Sequence, residues 1–343
     1  MNVRKAARLM IIVLGTGFIL IWGKALIIPF VMSLILWFII KEVRELLERI
    51  PFVKKRFPNW LKSTLASLII FVTILVIVNL LGSNIQQLSQ KLPTYEPNIE
   101  RFAQEINNEF NIDIFKEVEK FVGDFDFSNM LGSFFNGISE LFGNAFLILL
   151  YLVFLMMEEA TFSRKLAVVY SDQEEFQKVN HILGKINKSM GSYFSLKTLV
   201  SVITGILSYF ALLIIGVEAA VFWSFLIFIL NYIPTIGSLI ATIFPAVFAL
   251  FQFGELQSFI LVLVVVGIVQ LIIGNLVEPK LMGNSLNIST LVVMLALSLW
   301  GAIWGVAGML LSVPITVIMI IIFAEFKETK PIAIMLSEKG ELK

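Results

Sequence analysis

The sequence predicts an all-α polytopic membrane protein with about eight transmembrane segments, including broken or re-entrant helices, and one amphipathic helical insert. Its 343 residues are 58% hydrophobic and only 15% charged, and their mean hydropathy is +0.91. A soluble chain of this length carries more charge and fewer apolar residues. The apolar runs are continuous and do not alternate with a period of two, which favours spanning helices over strands.

The composition excludes several classes of function. The net charge is +1, cysteine is absent, and His181 is the one histidine of the chain. Disulfides and thiolate chemistry are therefore excluded, and a histidine-based metal site is not expected. The sequence contains neither a G-x-x-x-x-G-K-[ST] phosphate loop nor an H-E-x-x-H motif. We predict no catalytic residue, no cofactor, no metal site and no nucleic-acid partner, so the chain is not expected to be an enzyme.

Residues 1–81 are predicted to form N-terminal transmembrane segments with a basic cytoplasmic loop. Lys24 interrupts the first apolar stretch, so two short helices joined at this lysine are expected, with its ammonium reaching the headgroups. The loop 41–62 carries seven Lys/Arg and three Glu, and basic loops stay in the cytoplasm. The next span is predicted over 63–81.

Residues 82–140 are predicted to form a polar, amphipathic helical insert on the outer side of the membrane. The segment holds ten acidic and four basic residues, and its apolar residues recur at helical spacing. Asn98 and Asp113 are predicted to cap its two helices. Residues 141–197 are then expected to contain a fourth span, which ends at Glu158, and a cytoplasmic helix that starts with the capping box of Ser171 and Glu174.

Residues 198–324 are predicted to form the core transport bundle, with broken helices. The segment is almost free of charge; its ionisable residues are Glu218, Glu255, Glu278 and Lys280. The uncharged run 219–253 would be about 52 Å long as one helix, whereas a hydrocarbon core is about 30 Å thick. The run must therefore break, and the motif from Asn231 to Gly237, with Pro234 inside it, supplies the break.

A second polar motif, Asn275 to Gly283, contains Glu278 and Lys280 on either side of Pro279. Ionisable residues inside a membrane mark functional sites by default. Two interpretations stay open: residues 278–288 are a short solvated loop between spans, or the motif is a helix break that lines a substrate path. Glu278 is correspondingly either an anchor in an ion pair, for which Lys280 is the neighbouring cation, or a carboxylate that exchanges protons.

The last apolar run, 289–323, is again too long for one straight span. It contains helix-breaking and small residues that are predicted to serve helix packing: Gly301, Gly305, Gly308 and Pro314. The polar tail 325–343 is expected in the cytoplasm. Both termini are then cytoplasmic, in a multi-pass protein of the cell membrane.

These motifs resemble those of the autoinducer-2 exporter family, also described as PerM-type permeases. The resemblance rests on the order of three motifs and extends over nearly the whole chain: 231–237 followed by Pro245, then 275–283, then the glycines and proline of 301–314. It implies a bacterial or archaeal inner-membrane protein with about eight spans that forms oligomers. Known family functions range from export of autoinducer-2 to sodium/proton antiport. The sequence departs from the family pattern at three sites: Ser238, Ser289-Thr290 and Ser195.

The sequence therefore predicts an exporter of a small polar solute, with a cation/proton antiporter and a non-transporting membrane scaffold as alternatives. The expected partners are the lipid bilayer, the solute or cation, and further copies of the chain. The substrate path is predicted from polar and helix-breaking residues of the core bundle: Asn231, Tyr232, Pro234, Thr235, Gly237, Pro245, Gln270, Asn275, Glu278, Pro279 and Lys280.

Overall fold

The computed structural model describes residues 3–110, 144–170, 172–282 and 287–340, and the regular structure in these ranges is helical. In chain order, the helices are α1 (Val3–Trp22), α2 (Lys24–Glu48), α3 (Pro51–Arg56), α4 (Asn59–Phe110), α5 (Ala145–Val169), α6 (Gln173–Ile215), α7 (Ala220–Leu230), α8 (Ile236–Phe253), α9 (Leu256–Ile272), a π-helical segment (Ile273–Val277), α10 (Glu278–Met282), α11 (Thr290–Ala324) and α12 (Lys330–Leu336).

Six helical stretches among the described residues are long and apolar enough to cross a membrane. A seventh is α5, whose two parts meet at a bend of 64° between Glu159 and Thr161. The apolar helices 10–22 and α7 are shorter. The described chain is thus an all-α, multi-pass membrane protein with broken helices, which confirms the predicted fold class.

The chain divides into two compact units. Unit 1 comprises Met1–Arg56, Asn136–Phe194 and Asn284–Lys343, and unit 2 comprises Phe57–Phe135 and Ser195–Gly283. The predicted boundaries at 81/82 and 197/198 lie inside helices α4 and α6.

In unit 1, α1 and α2 meet at Gly23, next to Lys24, as the sequence predicts. A Cβ on Gly23 would approach the Ile19 carbonyl to 2.5 Å, so a side chain is not tolerated there. Helix α2 packs against α5, where Glu159 accepts hydrogen bonds from the Trp37 indole at 3.0 Å and from Arg44 at 3.3 Å. These contacts hold α5 at its bend.

Helix α11 folds back on itself at Gly305, whose φ of +61° is not helical. A Cβ on Gly308 would overlap the carbonyl of Trp300, and one on Gly301 would come within 3.0 Å of the Met309 side chain. Residues eight apart meet in this way only when the helix reverses, so these glycines pack the two halves of α11 against each other. Pro314 is buried in the second half.

In unit 2, the predicted third span and the start of the predicted insert belong to one helix. Helix α4 runs without interruption from Asn59 to Phe110. Ser83 and Asn84 do not end it, because their side chains donate to the Leu80 carbonyl of the preceding turn at 2.9 and 2.7 Å. Asn98 is consequently not a helix cap: it lies inside α4 and donates to the carbonyl of Gln252 at 2.6 Å. Asp113 and Ser171 lie outside the described residues.

Asp172 caps the first turn of α6. Helix α6 begins at Gln173, and the Asp172 carboxylate accepts the N–H of Glu174 at 3.0 Å. An aspartate in this position satisfies a backbone donor of the first turn that has no partner within the helix.

One polar cluster in unit 2 ties α4 to the turn that follows α6 and to the last turn of α8. Glu218 accepts hydrogen bonds from the Lys91 ammonium and the Tyr95 hydroxyl, each at 2.8 Å. The side chain of Gln252 accepts the N–H of Glu218 at 2.7 Å and donates to the carbonyl of Gly216 at 2.9 Å. Burial opposes ionisation of Glu218, but the hydrogen bonds from Lys91 and Tyr95 outweigh it and lower the pKa of its carboxyl.

Acidification should weaken this cluster. Because the pKa of Glu218 in the folded protein lies below its ordinary value of 4.5, the ionised carboxylate stabilises the fold fully above pH 4.5, and this contribution is lost as the pH falls further. We expect the wild-type chain to melt at a higher temperature than Glu218→Gln at pH 7, with the difference shrinking below pH 4.5. In a chain that already carries Lys91→Met, Glu218→Gln should lower the melting temperature less than it does in the wild type. A difference between wild type and Glu218→Gln that stays the same at all pH values would contradict the lowered pKa of Glu218.

Candidate functional site

The helix break predicted between Asn231 and Gly237 lies in unit 2, where α7 ends at Leu230 and α8 begins at Ile236. Between them Thr235 adopts φ +59° and ψ −57°, and the N–H of Ile236 donates to the carbonyl of Pro234 at 2.6 Å. This is a γ-turn with positive φ, a rare and strained conformation for a β-branched residue. Strained backbone of this kind is concentrated at functional sites.

Gly237 allows α8 to start directly against the end of α7. A Cβ at this position would overlap the carbonyl of Leu230 and lie 3.0 Å from the Cβ of Ile233. No flexible side chain can move to relieve the overlap with a backbone carbonyl, so the break closes only with glycine here.

We expect Gly237→Ala to destabilise the protein by about 3 kcal/mol or more, since the overlap forces the backbone apart. Thermal unfolding in mild detergent measures the effect. Gly267→Ala, in α9, is the matched control, because its Cβ would meet the Thr242 side chain at an ordinary 3.7 Å. If the two variants melt alike, the close approach at Gly237 is not important.

Two hydrogen bonds attach the break to α6. The Asn231 side chain, which is buried, donates to the hydroxyl of Ser201 at 3.1 Å. The hydroxyls of Tyr232 and Thr198 are 2.6 Å apart. The side chains of Asn231 and Tyr232 therefore bond to polar groups of α6. The sequence motif by itself does not indicate this helix as its partner.

The second motif is a widened helix. The segment Ile273–Val277 is π-helical, and the N–H of Glu278 donates to the carbonyl five residues earlier, at Ile273. Pro279 explains the widening: it has no N–H, and its ring would clash with the carbonyl of Asn275 in an α-helix. Helix α10 follows at once over Glu278–Met282. The interpretation of 278–288 as a loop is wrong for 278–282, and π-helical turns are frequent at functional sites.

Glu278 forms its ion pair with Lys197 of α6, and not with Lys280. Side chains two residues apart on a helix point in different directions, which separates Glu278 from Lys280. The Lys197 side chain is only 5% exposed and that of Glu278 21% exposed, so the pair is largely removed from solvent. Lys197 directly precedes the nearly uncharged segment 198–324, so sequence reasoning did not include it among the charges of the core bundle.

The remaining predicted path residues lie in different environments. Pro245 is buried inside α8. Gln270 is 8% exposed, and its amide nitrogen has no hydrogen-bond partner. Exposed positions are occupied by Thr235, Asn275, Pro279 and Lys280. The structure thus gathers Asn231, Tyr232 and Glu278 on one face of α6 without placing Asn275 in contact with them.

The missed residues of α6 did carry a sequence signal. Lys197 and Ser201 are four residues apart, so they share a face of the mostly apolar second half of α6. Polar groups that recur at this spacing within a span indicate a surface buried in the protein.

The comparisons with known proteins agree with this architecture. A sequence model described as "AI-2E family transporter" matches residues 9–328. A protein of Haemophilus influenzae named "Putative transport protein" is 30% identical over 325 residues, which cover 93% of this chain and 92% of that protein. The "AI-2 transport protein TqsA" of Escherichia coli K12 is 30% identical over 339 residues, 96% of this chain and 95% of that protein. This chain therefore belongs to the AI-2E family of transporters.

Proposed function

We propose that the chain is a permease that exports a small polar solute through unit 2. The observation that carries the proposal is the broken helix after Leu230, whose Asn231 and Tyr232 side chains are hydrogen-bonded to α6. In a membrane, irregular backbone is tolerated where it is buried in protein or lines a cavity. Transporters use such breaks as binding sites.

Autoinducer-2 is the first solute to test, because it is named for the Escherichia coli relative that matches along almost the whole chain. It is a small, hydroxyl-rich and uncharged molecule, and its recognition requires hydroxyl, amide and aromatic groups. The path proposed here offers such groups at Asn231, Tyr232 and Gln270.

A cation/proton antiporter is the second candidate, and Glu278 is the feature that favours it. An antiporter requires a carboxylate that gives up its proton or cation within the membrane. In this chain Glu278 is already paired with the Lys197 ammonium, so a transported cation would have to displace this ammonium from the carboxylate. For this reason we rank the antiporter below the permease.

Transport into proteoliposomes distinguishes the two candidates. The purified full-length chain is reconstituted, and uptake of autoinducer-2 is measured with and without an imposed proton or sodium gradient. Solute flux without proton or sodium movement supports the permease. Sodium-driven proton movement without solute flux would replace it with the antiporter, and neither activity would favour a scaffold.

We further propose a cytoplasmic-membrane location with both termini and residues 41–62 in the cytoplasm, and residues 82–140 outside. The basic excess of 41–62 supports this orientation. Since the chain has no cysteine, single cysteines at Lys55 and Asn108 report it. An impermeant thiol reagent applied to intact cells should label position 108 and not 55; the reverse pattern would overturn the orientation.

A homo-oligomer is also proposed, because the apolar faces of the insert require a surface to pack against. The mass of the protein particle in native membranes gives the number of subunits. A monomer there would contradict the proposal.

A further inference from the structure

Helix α6 carries a buried polar face within its apolar half. Four polar residues lie at positions i, i+4, i+7 and i+11, which is one face of an α-helix: Lys197, Ser201, Thr204 and Ser208. Lys197 is 4% exposed and the three hydroxyl residues are fully buried. The opposite face is apolar and exposed, for example at Leu199 and Ile206. Polar side chains that face the interior of a membrane bundle mark pathways for ions or solutes.

Not all of these polar groups are satisfied within the protein. Ser201 accepts from Asn231, and Thr204 donates to the carbonyl of Val200 at 2.8 Å. Ser208 has no partner for its hydroxyl. Among the described residues, the buried side-chain polar atoms without a hydrogen-bond partner are the Ser208 oxygen, the Trp223 indole nitrogen and the Gln270 amide nitrogen. All three belong to unit 2.

Helix α6 passes close to α7 beside this face. A Cβ on Gly205 would contact the Ser224 carbonyl at 3.2 Å and the Phe228 side chain at 3.4 Å. Ser208 lies about one turn further along α6. Leaving a buried hydroxyl of this kind unpaired is unfavourable unless water or a ligand binds it.

We propose that the buried face of α6 from Lys197 to Ser208 is a hydrated track for the solute, with the Ser208 hydroxyl as its free hydrogen-bonding group. This inference rests on the proposed permease function and narrows its substrate class. The serine and threonine hydroxyls both donate and accept hydrogen bonds, so they bind hydroxyl or carbonyl groups of a solute. The track carries no net charge, because the Lys197 ammonium is paired with the Glu278 carboxylate. The track therefore selects small, uncharged, oxygen-rich solutes.

Water access to the track is testable without knowing the solute. In the full-length cysteine-free chain, single cysteines replace Thr204, Ser208, Val262 and Leu207. Val262 of α9 is fully buried and apolar, and Leu207, next to Ser208, is exposed on the apolar surface of α6. Each variant is reconstituted in lipid and treated with a small water-soluble methanethiosulfonate reagent. Such reagents react with the thiolate, which forms readily in water and poorly in apolar surroundings.

We expect Ser208→Cys and Thr204→Cys to react at least about tenfold faster than Val262→Cys and Leu207→Cys. Equal rates at all four positions would overturn the track. Size-exclusion profiles and circular dichroism identify any variant that does not fold, and the remaining track position then decides the result.

The labelling result separates this inference from the proposed function. Fast labelling of Ser208→Cys without any solute flux supports a hydrated track and contradicts the permease. Solute flux in a protein whose track positions do not react supports the permease and overturns the track. Protection of Ser208→Cys by autoinducer-2, but not by sodium or lithium ions, supports the stated substrate class; protection by the cations alone overturns it.

Discussion

Lys197→Met is expected to destabilise the protein by about 3 kcal/mol, because it leaves the carboxylate of Glu278 without its counter-ion in a largely buried site. The Lys197 side chain is 5% exposed. Among the described residues, Glu278 supplies the carboxylate with which it forms an ion pair. Removing one partner of a buried pair costs more than removing both, because the remaining charge keeps its desolvation penalty. Thermal unfolding, followed by the fluorescence of the six tryptophans, measures the effect in mild detergent.

Two further variants make this prediction specific. Lys280→Met removes an exposed lysine two residues from Glu278 and should change the melting temperature little. The double variant Lys197→Met/Glu278→Gln should recover most of the lost stability, since no uncompensated charge is left. If Lys197→Met melts like Lys280→Met, the ion pair does not stabilise the fold.

The same pair decides the role of Glu278 in transport. As an anchor, Glu278→Gln should retain partial transport that does not depend on pH. A Glu278→Gln protein that assembles normally, binds solute and loses only gradient-driven transport would instead establish a carboxylate that carries protons, and the antiporter would become the leading function.

Asn231→Leu is expected to abolish solute flux while leaving the protein folded. The leucine side chain has the same branching as that of asparagine but cannot donate to Ser201, so the helix break loses one of its two hydrogen bonds to α6. The buried Ser201 hydroxyl also loses its partner, which costs about 1–3 kcal/mol. Flux in proteoliposomes and size-exclusion chromatography measure function and assembly on the same preparation.

Asn275→Leu is the matched control for this change. Asn275 belongs to the second motif and has the same side chain, but it is exposed on the π-helical segment. Flux should be retained by Asn275→Leu and lost in Asn231→Leu. Full flux in Asn231→Leu would remove the break from the transport path.

The helix breaks are the part of this fold that sequence reasoning predicts best. An uncharged run of 35 residues exceeds the thickness of a bilayer, so the runs 219–253 and 289–323 have to bend. The bends occur at the residues whose chemistry permits them, around Pro234 and at Gly305. Both conclusions follow from local backbone properties and length alone.

Local reasoning fails where the outcome depends on which hydrogen bonds a polar side chain forms. The span was predicted to end at 81, where polar residues follow, but Ser83 and Asn84 bond to their own helix and α4 continues. Asn98 resembles a cap and instead bonds to the last turn of α8, 154 residues away in sequence. Pro279 suggested a break and produces a π-helical widening, in which the N–H of Glu278 bonds to the carbonyl of Ile273.

The amino-acid sequence by itself determined the membrane class, the family resemblance, the breaks in the apolar runs and the glycines that close them. These depend on apolar length and on the conformations open to single residues. Only the tertiary structure decided that Glu278 pairs with Lys197, 81 residues earlier, and that Asn231 meets Ser201. The helical period shows which residues share a face. Which faces meet depends on the packing of helices distant in sequence, and no local pattern encodes it.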